Sequence, residues 1–105
     1  MDKKKSIIRD LKLFKSELNK TIPVNKMIFF GSRAKGKSCK DSDIDLIIVS
    51  KKFREKKFRY RSLGFYNYWN LNYPVDFLCY TPEEFAQLKK QITIVREAVR
   101  EGIVI

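Results

Sequence analysis

The chain has 105 residues, a formal net charge of +11, 44% hydrophobic residues, two cysteines and no histidine. That length supports one core over residues 1–105 and leaves no room for several strand-helix units, and no apolar run approaches the roughly 18 residues that span a bilayer. The missing histidine excludes histidine acid-base chemistry and Ser-His or Cys-His nucleophiles, and neither thiol has a zinc-site spacing, so any catalysis falls to carboxylates, hydroxyls, amines or a bound metal.

The basic N-terminus, MDKKKSIIRDLKLF, has charges interrupting its apolar residues and no small-residue cleavage site. This predicts a soluble, cytoplasmic protein with no membrane association and with Cys39 and Cys79 as free thiols. Ile7, Ile8, Leu11, Phe14 and Leu18 recur at helical spacing and predict an amphipathic helix from about Lys4 to Asn19, stopped by Thr21-Ile22-Pro23. Lys26–Phe30 reads as a short strand, and Ile44–Val49 as a second strand apolar on both faces. The stretch Lys52–Asn70 is expected to be helical over much of its length, with Gly64 and the following aromatic run weakening its second half. Tyr73–Tyr80 predicts a third strand, with Pro74 near its start, where a missing donor is tolerated. Thr81, Pro82 and Glu84 then form a capping-box pattern that opens a helix through about Lys90. A further helix from Thr93 to Glu101, a stop at Gly102 and a short terminal strand at Ile103–Ile105 complete a small α/β layer.

Two patterns compete between Met27 and Ser50. Gly31–Ser38 (GSRAKGKS) satisfies the G-x-x-x-x-G-K-[ST] pattern of a phosphate-binding P-loop. Such a loop must feed a long helix, yet only Cys39–Ser42 separate Ser38 from the residues opening the next strand, so the helix has no room. The other pattern is Asp43-Ile44-Asp45. On a strand, positions i and i+2 share a face, with roots about 6.6 Å apart, and two carboxylates that close repel unless a cation neutralises them. Oxygen-only ligation suits Mg²⁺ or Mn²⁺. The competing reading is a turn, KDSD, in which one aspartate caps a bend and Asp45 is solvated. Asp76 lies inside the apolar run Pro74–Leu78, where an ionised carboxylate is costly unless it binds metal or pairs with a lysine or arginine. Gly31-Ser32 offers close backbone approach and a hydroxyl to an anion, or is a plain turn after a strand. Lysine clusters at Lys3–Lys5, Lys35–Lys40 and Lys51–Arg61 suit a polyanion, a nucleoside triphosphate or an acidic protein, or are solvated faces.

Taken together, FGSRAKGKSCKDSDIDLIIV resembles the signature of the minimal nucleotidyltransferases, a small branch of the DNA polymerase beta-like superfamily, and PVDFL stands where that family carries its third carboxylate. The resemblance extends to the helix layout and covers nearly the whole chain. It implies a mixed β-sheet flanked by helices, the nucleotidyltransferase fold. It also implies transfer of a nucleoside monophosphate, AMP from ATP or the equivalent from another NTP, to an acceptor hydroxyl with release of pyrophosphate. Carried over by residue, Gly31 and Ser32 would hold the triphosphate tail and Asp43 and Asp45 the divalent ions. Asp76 would join the metal site and activate the hydroxyl, and Arg33, Lys35 and Lys37 are candidates to steer the triphosphate. The chemistry is consistent, since in-line displacement at phosphorus needs charge neutralisation and alignment, which two ions supply without histidine. The resemblance further implies the antitoxin-like half of a toxin-antitoxin pair with a helical HEPN-type partner, with Phe65, Tyr66, Tyr68 and Trp69 either facing that partner or packing in the core. A non-catalytic nucleotide-binding antitoxin and a basic nucleic-acid-binding protein, with weak and salt-sensitive affinity, are the alternatives. Either an oligomer or a monomer is compatible with the sequence.

Overall fold

A computed structural model of the protein describes residues 3–36 and 43–105. Cys39, Lys37 and the KDSD residues Lys40 to Ser42 lie outside the described residues. The elements are α1 (Lys3–Asn19), β1 (Lys26–Phe30), β2 (Ile44–Val49), β3 (Val75–Tyr80), α2 (Pro82–Leu88), α3 (Ile94–Glu101) and β4 (Ile103–Val104). They form a four-stranded sheet in the order β3-β2-β1-β4. β1 pairs antiparallel with β2 and β4, and β2 pairs parallel with β3. The sheet is therefore mixed and flanked by helices, as the resemblance implied. No helix among the described residues is long and apolar enough to cross a membrane.

Strand register sorts the side chains into two cores. Met27, Phe29, Ile44, Leu46, Ile48 and Cys79 face α1, which lays Ile7, Leu11, Phe14 and Leu18 against them. Phe77 anchors an aromatic cluster on this side, with Trp69 edge-on at 5.8 Å and Phe65 edge-on at 5.6 Å. Each large side chain buried here stabilises the fold by about 1.5–3 kcal/mol relative to exposure. On the opposite face Ile28, Phe30, Ile47 and Val49 meet Phe85 of α2 and Val95 and Ala98 of α3. Asp45 lies abreast of Phe30, and Asp76 abreast of Asp45, so register assigns both carboxylates to this second face.

The sequence expectations hold for β1, β2 and the capping box: Thr81 Oγ1 accepts from the Glu84 N–H at 3.1 Å and Glu84 Oε1 accepts from the Thr81 N–H at 2.9 Å. β3 starts two residues later than Tyr73, and Pro74 contributes only its carbonyl, which accepts from the Ile44 N–H at 2.8 Å. α2 ends at Leu88 rather than Lys90, and α3 begins at Ile94 with Thr93 as its N-cap. Gly102 stops α3 without a left-handed conformation. A side chain there would collide with the Ala98 carbonyl and with Ile28, so close packing of the helix end on β1 requires the glycine.

The expectation of helix over Lys52–Asn70 fails. That connection contains three short 3-10 turns, Lys51–Glu55, Phe58–Tyr60 and Phe65–Tyr68, separated by extended backbone at Lys56 and Lys57 and by Gly64 at φ 86°. A continuous α-helix would place Lys52 beside Lys56 and Lys57 beside Arg61, like charges at i and i+4 that destabilise it. Phe65 is buried, Trp69 is half-buried and donates its Nε1–H to the Tyr73 carbonyl at 2.9 Å, and the half-buried Tyr68 hydroxyl lies 2.8 Å from Thr21 Oγ1. Of the four aromatic residues considered as a partner face, Tyr66 alone is exposed.

Candidate functional site

β1 ends at Phe30 and the chain turns at Gly31, whose φ of 89° is disfavoured for any residue with a side chain. The turn is closed by the Lys35 N–H donating to the Gly31 carbonyl at 3.2 Å and the Gly36 N–H donating to the Arg33 carbonyl at 3.2 Å. A methyl group on Gly31 would overlap the Asp45 carboxylate. The glycine thus serves both the backbone angle and the approach of the turn to Asp45. This contact joins two of the sequence-predicted residues across neighbouring strands.

Asp45 and Asp76 stand side by side on the parallel pair β2 and β3, and Asp43, two residues before Asp45, immediately precedes β2. Asp43 and Asp76 are exposed and Asp45 is half-buried. Burial raises the proton affinity of Asp45, and the charges of Asp76 and then Asp43 raise it further. Asp45, packed against Gly31, therefore senses both of the other carboxylates. Asp76 is exposed, so its apolar run does not impose the desolvation cost expected from the sequence. The run alternates across the sheet, and Asp76 emerges where α2 and α3 no longer cover the second face. Among the described residues an exposed Asp76 is not the buried half of a salt bridge.

Among the described residues no close-packed group of three or more histidine, cysteine, aspartate or glutamate side chains forms a ready metal cage. Like charges without a counter-ion separate rather than converge. The donor set nevertheless fits a hard divalent cation, because it is all oxygen, anionic, open to solvent and mutually repelling in the way a cation would relieve.

Ser32 is exposed beside Gly31, while Arg33 is 8% exposed with its guanidinium carbon 4.4 Å from the centre of the Tyr73 ring. Arg33 thereby ties the Gly31 turn to the entry of β3, a contact across 40 positions that no local pattern announces. A cleft of about 210 Å³ opens next to Asp45, lined by Phe30, Gly31, Lys35, Ile94, Glu97, Ala98 and Glu101. Glu97 and Glu101 were missed in the sequence, although their i, i+4 spacing on a helix was the available sign that they share a face. Cys79, the described thiol, is free and buried, and burial pushes it up to about 12, which leaves it inert.

Comparison with known proteins agrees with this fold. The family described as "Nucleotidyltransferase domain" matches residues 8–100. A Haemophilus influenzae protein named "Probable protein adenylyltransferase MntA" is 32% identical over 88 residues, covering 82% of this chain and 77% of that protein. The "Crystal structure of a putative nucleotidyltransferase from Sulfolobus solfataricus" superposes with a TM-score of 0.61 at 26% identity, covering 95% of this chain and 82% of that one.

Proposed function

Because the chain belongs to the nucleotidyltransferase domain family, polymerase beta-like enzymes, we propose that it moves AMP from ATP to a hydroxyl on a partner protein. The observation that carries this reading is the placement of Asp45 and Asp76 abreast on parallel strands, with Asp43 close enough to add to their repulsion and Gly31 against Asp45.

In this reading Gly31 lets the triphosphate approach the backbone, and Ser32 offers its exposed hydroxyl. Arg33, held over the Tyr73 ring, places a positive charge beside the turn. Asp43, Asp45 and Asp76 would hold Mg²⁺ or Mn²⁺, which when bound neutralises and aligns the phosphates for in-line displacement. Asp76, exposed at the open end of β3, accepts the proton of the acceptor hydroxyl. A protein acceptor is supported by the name of the Haemophilus relative, a protein adenylyltransferase. We extend the same reading to an antitoxin-like role, with a HEPN-type protein as the acceptor.

The test is transfer of label from α-labelled ATP to a co-expressed partner in the presence of Mg²⁺, alongside ATP binding by calorimetry. Wild type should transfer label, and Asp76→Asn should bind ATP yet lose transfer by about 10³-fold. A folded Asp76→Asn protein transferring at the wild-type rate would refute the role of Asp76. Wild type that binds ATP but never transfers would make the chain a nucleotide-binding module.

A further inference from the structure

The cleft beside Asp45 contains a charged pair to which the proposed transfer assigns no role. Lys35 Nζ lies 2.7 Å from Glu101 Oε2, joining the Gly31 turn to the last residue of α3. Both side chains are more than two-fifths exposed, so the pair adds little to folding stability. Glu97, one turn earlier on α3, lines the same cleft and adds to the field at Lys35. The placement runs against the rest of the molecule. In a chain of net charge +11, two glutamates line a cleft that also contains the turn read as the phosphate subsite. They repel a triphosphate as long as their charge is free to act.

That conflict is resolved if Glu101 occupies Lys35 only until a stronger anion arrives. The backbone of Lys35 is fixed to Gly31 by its N–H, so its ammonium is anchored within a side-chain length of the turn whether or not Glu101 is engaged. A triphosphate offers more charge and more acceptor oxygens than one carboxylate, and the Lys35–Glu101 pair that it displaces is exposed and solvated. We propose that Glu101 is a positioning residue that holds Lys35 across the cleft and is exchanged for the triphosphate when nucleotide binds. The inference rests on the reading of Gly31 and Ser32 as the phosphate subsite. Glu101 raises the proton affinity of Lys35, so the ammonium is charged before the exchange and the switch needs no proton transfer.

The exchange makes a signed prediction. Removing the carboxylate should tighten nucleotide binding, whereas a merely structural tether would weaken it or leave it unchanged when lost. The experiment is calorimetric titration of Mg²⁺ with α,β-methylene-ATP, which binds without transfer, into wild type, Glu101→Gln, Lys35→Ala and the double variant, with a melting curve for each. At low ionic strength Glu101→Gln should lower Kd about two- to fivefold, the scale of one exposed pair, and the gain should fade in about 0.5 M salt. Lys35→Ala should raise Kd, and adding Glu101→Gln to it should change nothing further. An equal gain in the Lys35→Ala background would overturn the exchange in favour of general repulsion by the glutamate. An unchanged or raised Kd for Glu101→Gln, or a drop in its melting temperature of several degrees, would overturn it in favour of a structural tether. Nucleotide binding that survives Asp45→Asn would defeat the metal assignment and leave the exchange standing, whereas no nucleotide binding by wild type would defeat both.

Discussion

β2 and β3 run parallel, and their two ends treat charge in opposite ways. At the C-terminal end, Arg61 reaches in from the connection and donates to the Cys79 carbonyl at 3.2 Å, to the Lys56 carbonyl at 3.3 Å and to both oxygens of Glu84. Glu84 also accepts from the Thr81 N–H, and its proton affinity falls, chiefly through the Arg61 hydrogen bonds. At the N-terminal end, Asp45 and Asp76 share one face, Asp43 immediately precedes β2, and the proton affinity of Asp45 rises. One end satisfies its charges and fastens the connection, β3 and α2 together. The other leaves Asp45 facing the like charges of Asp76 and Asp43, which separates the stability of this fold from its candidate chemistry.

The sharpest test of that separation is Asp45→Asn. Transfer and metal-dependent ATP binding should fall by about 10³-fold, while the metal-free protein should melt slightly higher, because the substitution removes the repulsion without changing the side-chain volume. Loss of both activity and stability would break the comparison. Arg61→Ala should do the reverse. It strands the Cys79 carbonyl and one side of Glu84, and urea denaturation should show a loss of about 2–3 kcal/mol, with nucleotide affinity of the folded fraction unchanged.

Gly31→Ala probes the junction between backbone and carboxylate. The left-handed angle alone costs about 1–3 kcal/mol and the collision with Asp45 adds to it, so both melting temperature and metal-dependent binding should decline together. The smallest effect is in the acid limb of the stability curve. Glu84 has a folded value below its ordinary 4.5, so its contribution is complete above that value and is lost as pH falls through the lowered one. The stability gap between wild type and Glu84→Gln should therefore narrow as pH falls below 4.5 and through the lowered value. Asp45 has the opposite sign. Its folded value lies above the ordinary 3.8, so its penalty grows as pH rises through that window, and the gain from Asp45→Asn should vanish at the acid end. Parallel acid-side melting curves for the two variants check both signs.

The sequence by itself determined the strands, the caps and the candidate carboxylates. Each rests on spacing within a few residues: a short continuous apolar run for Ile44–Val49, Thr81 to Glu84 for the cap, and i, i+2 for Asp43 and Asp45. It did not determine the course of Lys51–Trp69, because that stretch has aromatic and basic residues without a pattern that excludes helix, and charge repulsion together with Gly64 decided the outcome. Nor did it determine how exposed Asp76 is, since an apolar run on an edge strand looks the same whether or not a helix covers its second face. The tertiary structure alone decided that Asp45 lies beside Asp76, that Gly31 abuts Asp45, that Arg33 rests on Tyr73, and that Lys35 meets Glu101. Those contacts join residues 14 to 66 positions apart. Their energies depend on strand register and helix docking, quantities set by the packing of the two cores rather than by any local preference of the chain.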